Sequence, residues 1–561
     1  MRPTVGACRR GVGRSRPHTR PGSELSAPMA PIVPVRVRCS HNGNSVPETG
    51  GRPMRTTEVL VVGGGSVGLA TAVFLTHHGV RTLLVERDEG PRSHPRATGI
   101  GVRTVEMLRE TGLAGAVDAV ALDWSAGALG KARARTLADL AETAPPAPAV
   151  PRQVPYSPAA LRGPCPQNRL DPVLLAAARE RGATVSYGTG LVSFTQDEEG
   201  VTAVLSTGER VRARYLVAAD GVRSEVRAAL GIGLTGPGAL TEPGQNILFR
   251  ADLRELVRGR HFVACEITDP AAPGMLITID GEKEWVFLTG LDREPAPALI
   301  RAATGVPDLD VEILSTLVWR VRAQVAERFA QGRVFLAGDA AHAVPPLGAF
   351  GLNTGVADGH NLAWKLALVL RGEAGPALLG TYDAERRPVA SLTMEQALVR
   401  MSDPALHWGH GPAAAEARAA AGALNAPVVH LGQRYVSAAV IDPRPELPSA
   451  EDVVACLDGS PGSRMPHAWV SEGVSTLDLV RSRFTVFTRR PGGDRDEAGG
   501  AAWPAEAARL GLNAHAVDLA EIPPGGALLV RPDGYVAWRA EGGPERLGGV
   551  LDRLLARGRD G

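Results

Sequence analysis

Glu58-Val-Leu-Val-Val62, Gly63-Gly64-Gly65-Ser66-Val67-Gly68 and the run 69–78 read in order as a buried strand, a glycine turn and a helix. Val80-Arg-Thr-Leu-Leu-Val85 follows as a second strand and ends in Glu86. A G-x-G-x-x-G pattern carries meaning only in this setting, with a strand before it, a helix after it and an acid closing the next strand. Gly63 permits the tight turn, Gly65 admits a pyrophosphate, Gly68 lets helix approach strand, and Glu86 can accept hydrogen bonds from an adenosine ribose. Ser66, Val67 and Arg87 complete this candidate dinucleotide set. The expected fold class is α/β, with a Rossmann-like nucleotide domain.

A second loop, Gly338-Asp339-Ala-Ala-His342-Ala-Val-Pro345-Pro346-Leu-Gly348-Ala-Phe-Gly351-Leu-Asn353-Thr354-Gly355, follows the strand-like Arg333-Val-Phe-Leu-Ala337. Asp339 therefore stands just past a strand's carboxyl end, where open α/β sheets place ligands. The prolines stiffen the loop and the glycines let main-chain N–H groups come close to a bound molecule. The run 356–370 predicts a helix starting near Thr354, with its positive end toward the loop. A third loop, Asp220-Gly221-Val-Arg223-Ser224-Glu-Val-Arg227, follows the apolar strand Tyr215-Leu-Val-Ala-Ala219. Arg96, in the linker Arg92-Ser-His94-Pro95-Arg96-Ala97-Thr98, can pair with a pyrophosphate.

The chain has 561 residues, more than one hydrophobic core usually serves. Formal charge is +1, so nothing recommends nucleic acid or an acidic membrane as a partner. No apolar run approaches the roughly 20 residues of a membrane helix. Five scattered cysteines make no C-x-x-C pair and no metal cluster, and a reducing cytoplasm is the simplest setting. Residues 1–55 are rich in Arg, Pro, Gly and Ser. They read as a disordered basic extension or a mis-assigned start; a secretory leader would need an apolar core that is absent. The remainder divides into 56–236 and 332–445, the two parts of the nucleotide domain with a helical region, a β-sheet substrate domain at 237–331, and a small α/β unit at 446–561.

The three loops in this order closely resemble the class A FAD-dependent aromatic hydroxylases, the para-hydroxybenzoate hydroxylase-like group. The segments His94-Pro-Arg-Ala97, Pro166-Gln167-x-x-Leu170-Asp171, Gly348-Ala-Phe-Gly351, Asp358-Gly-His-Asn361-Leu-Ala-Trp364-Lys365 and Tyr382-x-x-Glu385-Arg386-Arg387-Pro388 look like the aromatic polyketide branch, which includes tetracenomycin and anthracycline hydroxylases. That resemblance implies a C-terminal thioredoxin-like domain, here without C-x-x-C. It implies FAD as cofactor, with Glu86 on the ribose, Arg96 near the pyrophosphate, and Gln167 and Asp339 on the ribityl chain. Asp220 would contact FAD and the nicotinamide, while Gly338, Pro346, Gly348, Gly351, Leu352 and Asn353 would border the flavin. It implies NADPH or NADH and O2 as co-substrates, a C4a-hydroperoxyflavin, and hydroxylation of a small-molecule aromatic polyketide by a monomer or homodimer.

No catalytic base declares itself, and His342 reads as a packing or hydrogen-bonding residue of the flavin loop. Phe350 and Trp285 are candidates to line the substrate pocket. Baeyer–Villiger oxygen insertion on the same scaffold, or flavin binding without turnover, remain alternatives.

Overall fold

The computed structural model describes residues 37–38, 54–124, 129–140, 154–290, 295–409, 411–490 and 502–557. Most of the extension 1–55 and of the Pro/Ala-rich stretch at 144–154 lies outside those residues.

Strand Arg55–Val62 lies inside a nine-stranded sheet. Its residues Val59 to Leu60 and Val61 have no exposed surface, and burying each such side chain contributes about 1.5–3 kcal/mol. It pairs in parallel with Thr82–Val85 on one side and with Arg210–Ala218 on the other. Val334–Leu336 joins the end of Arg210–Ala218, also in parallel. Val62 stands opposite Val85 and Ala218, and Ala218 opposite Leu336, so four strands finish level. The Gly63, Glu86, Asp220 and Gly338 segments thus leave the sheet at one end, though up to 275 positions separate them in the chain.

Helix Ser66–His77 packs against the 21-residue helix Phe350–Leu370. The latter begins four residues before the Thr354 start expected from sequence. Gly351, Leu352 and Asn353 are therefore its first turn, not part of a preceding loop.

The second sheet has six strands, in the order Glu312–Trp319, Gly244–Arg250, Glu284–Thr289, Gly274–Thr278, Phe262–Ile267 and Leu129–Ala134. Its first five strands are antiparallel. Leu129–Ala134 comes from earlier in the chain and adds in parallel. One face, with Ile247, Phe249, Trp285 and Phe287, packs with Leu137, Leu140, Leu253, Leu299 and Ile300 from helical segments. The opposite face turns toward the nucleotide domain, where His94 meets it.

The C-terminal unit is a four-stranded sheet, Asn513–Val517, Thr485–Arg489, Ala527–Val530 and Val536–Ala540, the first two parallel. Helices Ala502–Arg509 and Leu547–Leu554 complete its thioredoxin-like α/β arrangement.

Candidate functional site

The glycines of the first turn are separated by what surrounds them. A Cβ on Gly63 would lie 2.2 Å from the Ala219 carbonyl oxygen, and one on Gly68 would lie 1.9 Å from that of Gly63. A Cβ on Gly65 would meet nothing within 4 Å. Two glycines are thus demanded by the protein's own packing, and the third opens onto a cleft. Gly65 caps the helix without any side-chain hydrogen bond. The first N–H groups of the helix, those of Ser66, Val67 and Gly68, have no intrahelical partner, so the positive helix end faces the cleft bare.

Glu86 is held in place: Oε2 accepts the Gly64 N–H at 2.6 Å and Oε1 accepts that of Asp88 at 3.0 Å. Each carboxylate oxygen keeps a lone pair for a ribose hydroxyl. Arg87 is exposed and reaches Glu225 at 3.7 Å. The Ser66 hydroxyl donates to the buried Asp171 carboxylate, so its side chain is committed within the protein. Burial pushes the Asp171 carboxyl up to about 6, against the pull of Ser66 and Gln167.

At the next strand end, Asp220 Oδ2 accepts the Val226 N–H at 3.1 Å, and its Oδ1 is buried without a partner. Burial raises this carboxyl, with Ser224 opposing. Arg227 donates to the carbonyl oxygens of Ala340 at 2.8 Å and Val222 at 3.1 Å, tying the second loop to the third. Gly338 has φ of 59°, and a Cβ there would sit 2.8 Å from Val67. The second loop therefore rests directly on the first helix. Asp339 is open to the cleft yet ringed by protein. That surround raises its carboxyl, while His342, Arg96 and Arg92 pull it down. The Arg96 N–H donates to Gln167 Oε1 at 3.1 Å, and the Gln167 N–H donates to the Ala97 oxygen at 2.9 Å. The fold thus brings Arg96, Gln167 and Asp339 around one space.

Before the long helix, Gly348 has φ of 104° and Ala349 φ of 55°, a left-handed conformation that costs a non-glycine residue energy. No side chain caps this helix either. Pro346 is exposed at the lip, while Gly351 and Leu352 are half-buried in the first turn. Asn353 is spent structurally: Oδ1 accepts from the Gly101 N–H at 2.7 Å and the Thr104 hydroxyl at 2.6 Å, and Nδ2 donates to the Ala349 oxygen at 2.7 Å.

Two expected pocket residues lie elsewhere. Phe350 is buried, with the His430 ring 5.0 Å away and the Arg400 cation 5.2 Å above its face. Only Ala349 of the Ala349-Phe350 pair is exposed. Trp285 points into the helix-backed core beside Phe262, because strand alternation sets it on the far side of the sheet from His94. His342 Nε2 binds Asp358 Oδ2 at 2.7 Å and its ring stacks on Phe329. Asp358 also accepts from the Gly338 N–H at 3.1 Å and Arg386 Nε at 2.8 Å, and Arg386 donates to the Thr354 oxygen at 3.1 Å. Asp358 and Arg386 clamp the Gly338 loop to the helices behind it.

Other family-like segments form a seam with the C-terminal unit. Glu385 accepts Lys365 at 2.7 Å and Arg531 at 2.6 Å, while Asp533 accepts Arg531 at 2.6 Å and Trp364 Nε1 at 3.1 Å. All these groups are buried. Burial alone would raise the Glu385 carboxyl, but Arg531 and Lys365 outweigh it and hold it well below the usual range. A cavity of about 350 Å³ adjoins this seam, lined by Arg103, Glu106, Arg109, Glu110 and Asp478 among others. Its acids are already paired, Glu106 with Arg464, Glu110 with His360 and Asp478 with Arg109. This cavity belongs to the domain contact, not to the cleft.

The cleft fits FAD on its own chemistry. It offers two uncapped helix starts for negative charge, a Gly65 surface where a side chain would intrude, a fixed carboxylate for ribose and an unpartnered Asp220 oxygen. Among the described residues no His, Cys, Asp and Glu cluster could hold a metal ion, and no helix is long and apolar enough to cross a membrane.

Comparison with known proteins bears on the same regions. The family described as FAD binding domain matches residues 56–397, and that described as aromatic-ring hydroxylase, C-terminal, matches 458–558. The chain is 39% identical to tetracenomycin A2 monooxygenase-dioxygenase of Streptomyces glaucescens, over 90% of this chain and 98% of the relative. It is 39% identical to 4-methyl-5-nitrocatechol 5-monooxygenase of a Burkholderia species, over 87% and 96%. A solved ternary complex of aklavinone-11 hydroxylase with FAD and aklavinone superposes with a TM-score of 0.76 at 34% identity, covering 90% of this chain and 100% of that one. With uncapped helix starts and open carboxylates at the strand ends, a sheet facing them and both family segments in place, the chain belongs to the FAD-dependent aromatic-ring hydroxylases.

Proposed function

We propose that this monooxygenase uses NADPH or NADH and dioxygen to place one oxygen atom on an electron-rich carbon of a flat polycyclic phenol of the aromatic polyketide class. The observation that carries this reading is the half-exposed sheet face set over the ends of four parallel strands. The middle of that face, with Leu248, Val286, Leu288 and Met275, is apolar between the ion pairs of Arg250 with Glu284 and Lys131 with Glu266, and such a patch suits a planar ring system. Kinship with the tetracenomycin enzyme and the fit to the aklavinone complex support a substrate of several fused rings. The catechol monooxygenase at equal identity makes a single ring the natural control.

Bound FAD supplies the redox and oxygen-activating chemistry. The protein's share is placement. The N–H groups at Ser66 to Gly68 take the pyrophosphate, Glu86 the adenosine ribose, and Gln167 and Asp339 the ribityl chain, with Arg96 adding positive charge. The start of the Phe350–Leu370 helix favours negative charge on the flavin ring. The Arg386–Asp358 clamp keeps that helix start and the Gly338 turn in register.

The test is FAD-loaded protein assayed for NADPH and NADH oxidation with tricyclic and tetracyclic phenols, single-ring catechols and no phenol, with mass spectrometry of the products. Stimulated oxidation with one added oxygen on a polycyclic phenol is the expected result. Activity confined to catechols would overturn the substrate class, and an inserted ring oxygen would replace hydroxylation by the Baeyer–Villiger reaction.

A further inference from the structure

The sheet face above the cleft carries one polar group of unusual construction. Asn246 stands in strand Gly244–Arg250, opposite Leu288 on one side and Leu317 on the other, and Met275 lies opposite Leu288. These four side chains form a row across the sheet, each at least partly open to solvent. The row lies on the opposite face from Ile247, Trp285 and Phe287, so strand alternation directs it toward the nucleotide domain.

His94, from the linker that also carries Arg96, reaches up to this face. Its Nε2 lies 2.7 Å from Asn246 Oδ1 and its Nδ1 lies 2.5 Å from Ser315 Oγ. Because Oδ1 can only accept, Nε2 carries the proton and the Ser315 hydroxyl donates to Nδ1. The His94 ring is buried, and burial depresses its pKa, keeping it neutral in this arrangement. The Asn246 carbonyl is thereby taken and its orientation locked. Its NH2 group has no hydrogen-bond partner among the described residues and is open to solvent within a half-buried, largely apolar row, so it can donate to a ligand oxygen in place of water.

We infer that Asn246 is the polar anchor of the substrate site, its side-chain NH2 donating to an oxygen substituent of a planar aromatic ring held under Leu288, Leu317 and Met275. His94 and Ser315 are positioning residues that aim this donor. The inference rests on the aromatic hydroxylation proposed above and adds the group that selects for an oxygen-bearing ring.

FAD-loaded wild type and Asn246→Ala are titrated with 9-phenanthrol and with phenanthrene, the same frame without oxygen, following the flavin absorption difference spectrum. Loss of one hydrogen bond weakens 9-phenanthrol about tenfold in the variant, while phenanthrene binding stays within about twofold and flavin content is unchanged. His94→Ala produces a smaller loss of the same kind. Equal affinity for 9-phenanthrol in wild type and variant, or parallel loss of both ligands, overturns the assignment. Should Asn246→Ala fold poorly, Asn246→Ser, which keeps a small polar side chain but cannot place the NH2, carries the same comparison. If wild type responds to neither probe but to single-ring catechols, the proposed substrate class fails and this assignment fails with it; binding of 9-phenanthrol by wild type separates the two failures.

Discussion

The cleft at the strand ends and the seam beneath the C-terminal sheet are both dense with charge, and they handle it in opposite ways. In the seam every strong group is answered: Glu385 by Lys365 and Arg531, Asp533 by Arg531 and Trp364, Glu106 by Arg464. In the cleft groups are left open: Asp220 Oδ1 has no partner, both helix starts lack side-chain caps, and Gly65 faces empty space. Perturbed carboxyls occur in both places, so perturbation alone does not mark a ligand site. A lone unanswered atom does not either, since Asn361 Oδ1 in the seam and Trp285 Nε1 in the sheet core are also without partners; what sets the cleft apart is an open carboxylate oxygen, two uncapped helix starts and the space beside Gly65 at one end of the sheet.

The contrast is broken most forcefully at Arg531. Its guanidinium serves Glu385 and Asp533 together and lies 5.1 Å from the Trp364 ring. Arg531→Leu strands two buried carboxylates with Lys365 as the remaining nearby cation, a loss of about 3–5 kcal/mol. Urea unfolding of the FAD-free protein should show that loss, while the FAD dissociation constant at 25 °C changes less than threefold. A variant of wild-type stability that releases FAD would instead make the seam part of the cofactor site.

Gly68 and Gly65 sharpen the same contrast within one turn. Gly68→Ala drives a methyl group against the Gly63 carbonyl and costs about 1–3 kcal/mol through forced backbone shifts. Gly65→Ala meets no protein atom, so the apo-protein unfolds at the wild-type temperature and the defect falls on FAD retention, read from the ratio of flavin to protein absorbance. A stability loss at Gly65 matching that at Gly68 would show that the open space is not a ligand surface.

The cleft was the more legible region because its information is local. Gly63 to Gly68 and Glu86 lie within one strand–helix–strand unit, where a few positions determine the turn and the ligand's approach. The seam joins Glu385 to Arg531 across 146 positions, and no local pattern connects them. Asp358, His360, Lys365 and Glu385 were visible as family-like words in the sequence, but their work as ion-pair anchors was not. Trp285 misled for a related reason: Trp285-Val-Phe287 is apolar at successive positions because both faces of its strand are covered, so alternation cannot say which face meets the cleft. The early start of the Phe350–Leu370 helix was hidden by Gly351 and Gly355, poor helix formers kept because Gly355 lies against Val67, where a Cβ would approach to 2.6 Å.

Asp171 stands between the two regions, buried like the seam and adjoining the cleft through Ser66 and Gln167. Burial raises its carboxyl from 3.8 to about 6. A raised carboxyl contributes stability that is complete below the unfolded pKa and is lost as pH rises through the folded one. Wild type therefore gives up stability between about pH 4 and pH 6 on this account, and Asp171→Asn, neutral throughout, does not. Depressed histidines such as His78, at about 4, titrate across part of the same range in the opposite sense. The telling quantity is thus the difference in Tm between the two proteins, in which shared titrations cancel. That difference should grow in favour of the variant from pH 4 to pH 6 and level off above it, at about 2–4 °C. A difference independent of pH would mean that Asp171 is ionised throughout, its charge answered by Ser66 and Gln167 as completely as Glu385 is by Arg531, and would move it to the seam's side of the comparison.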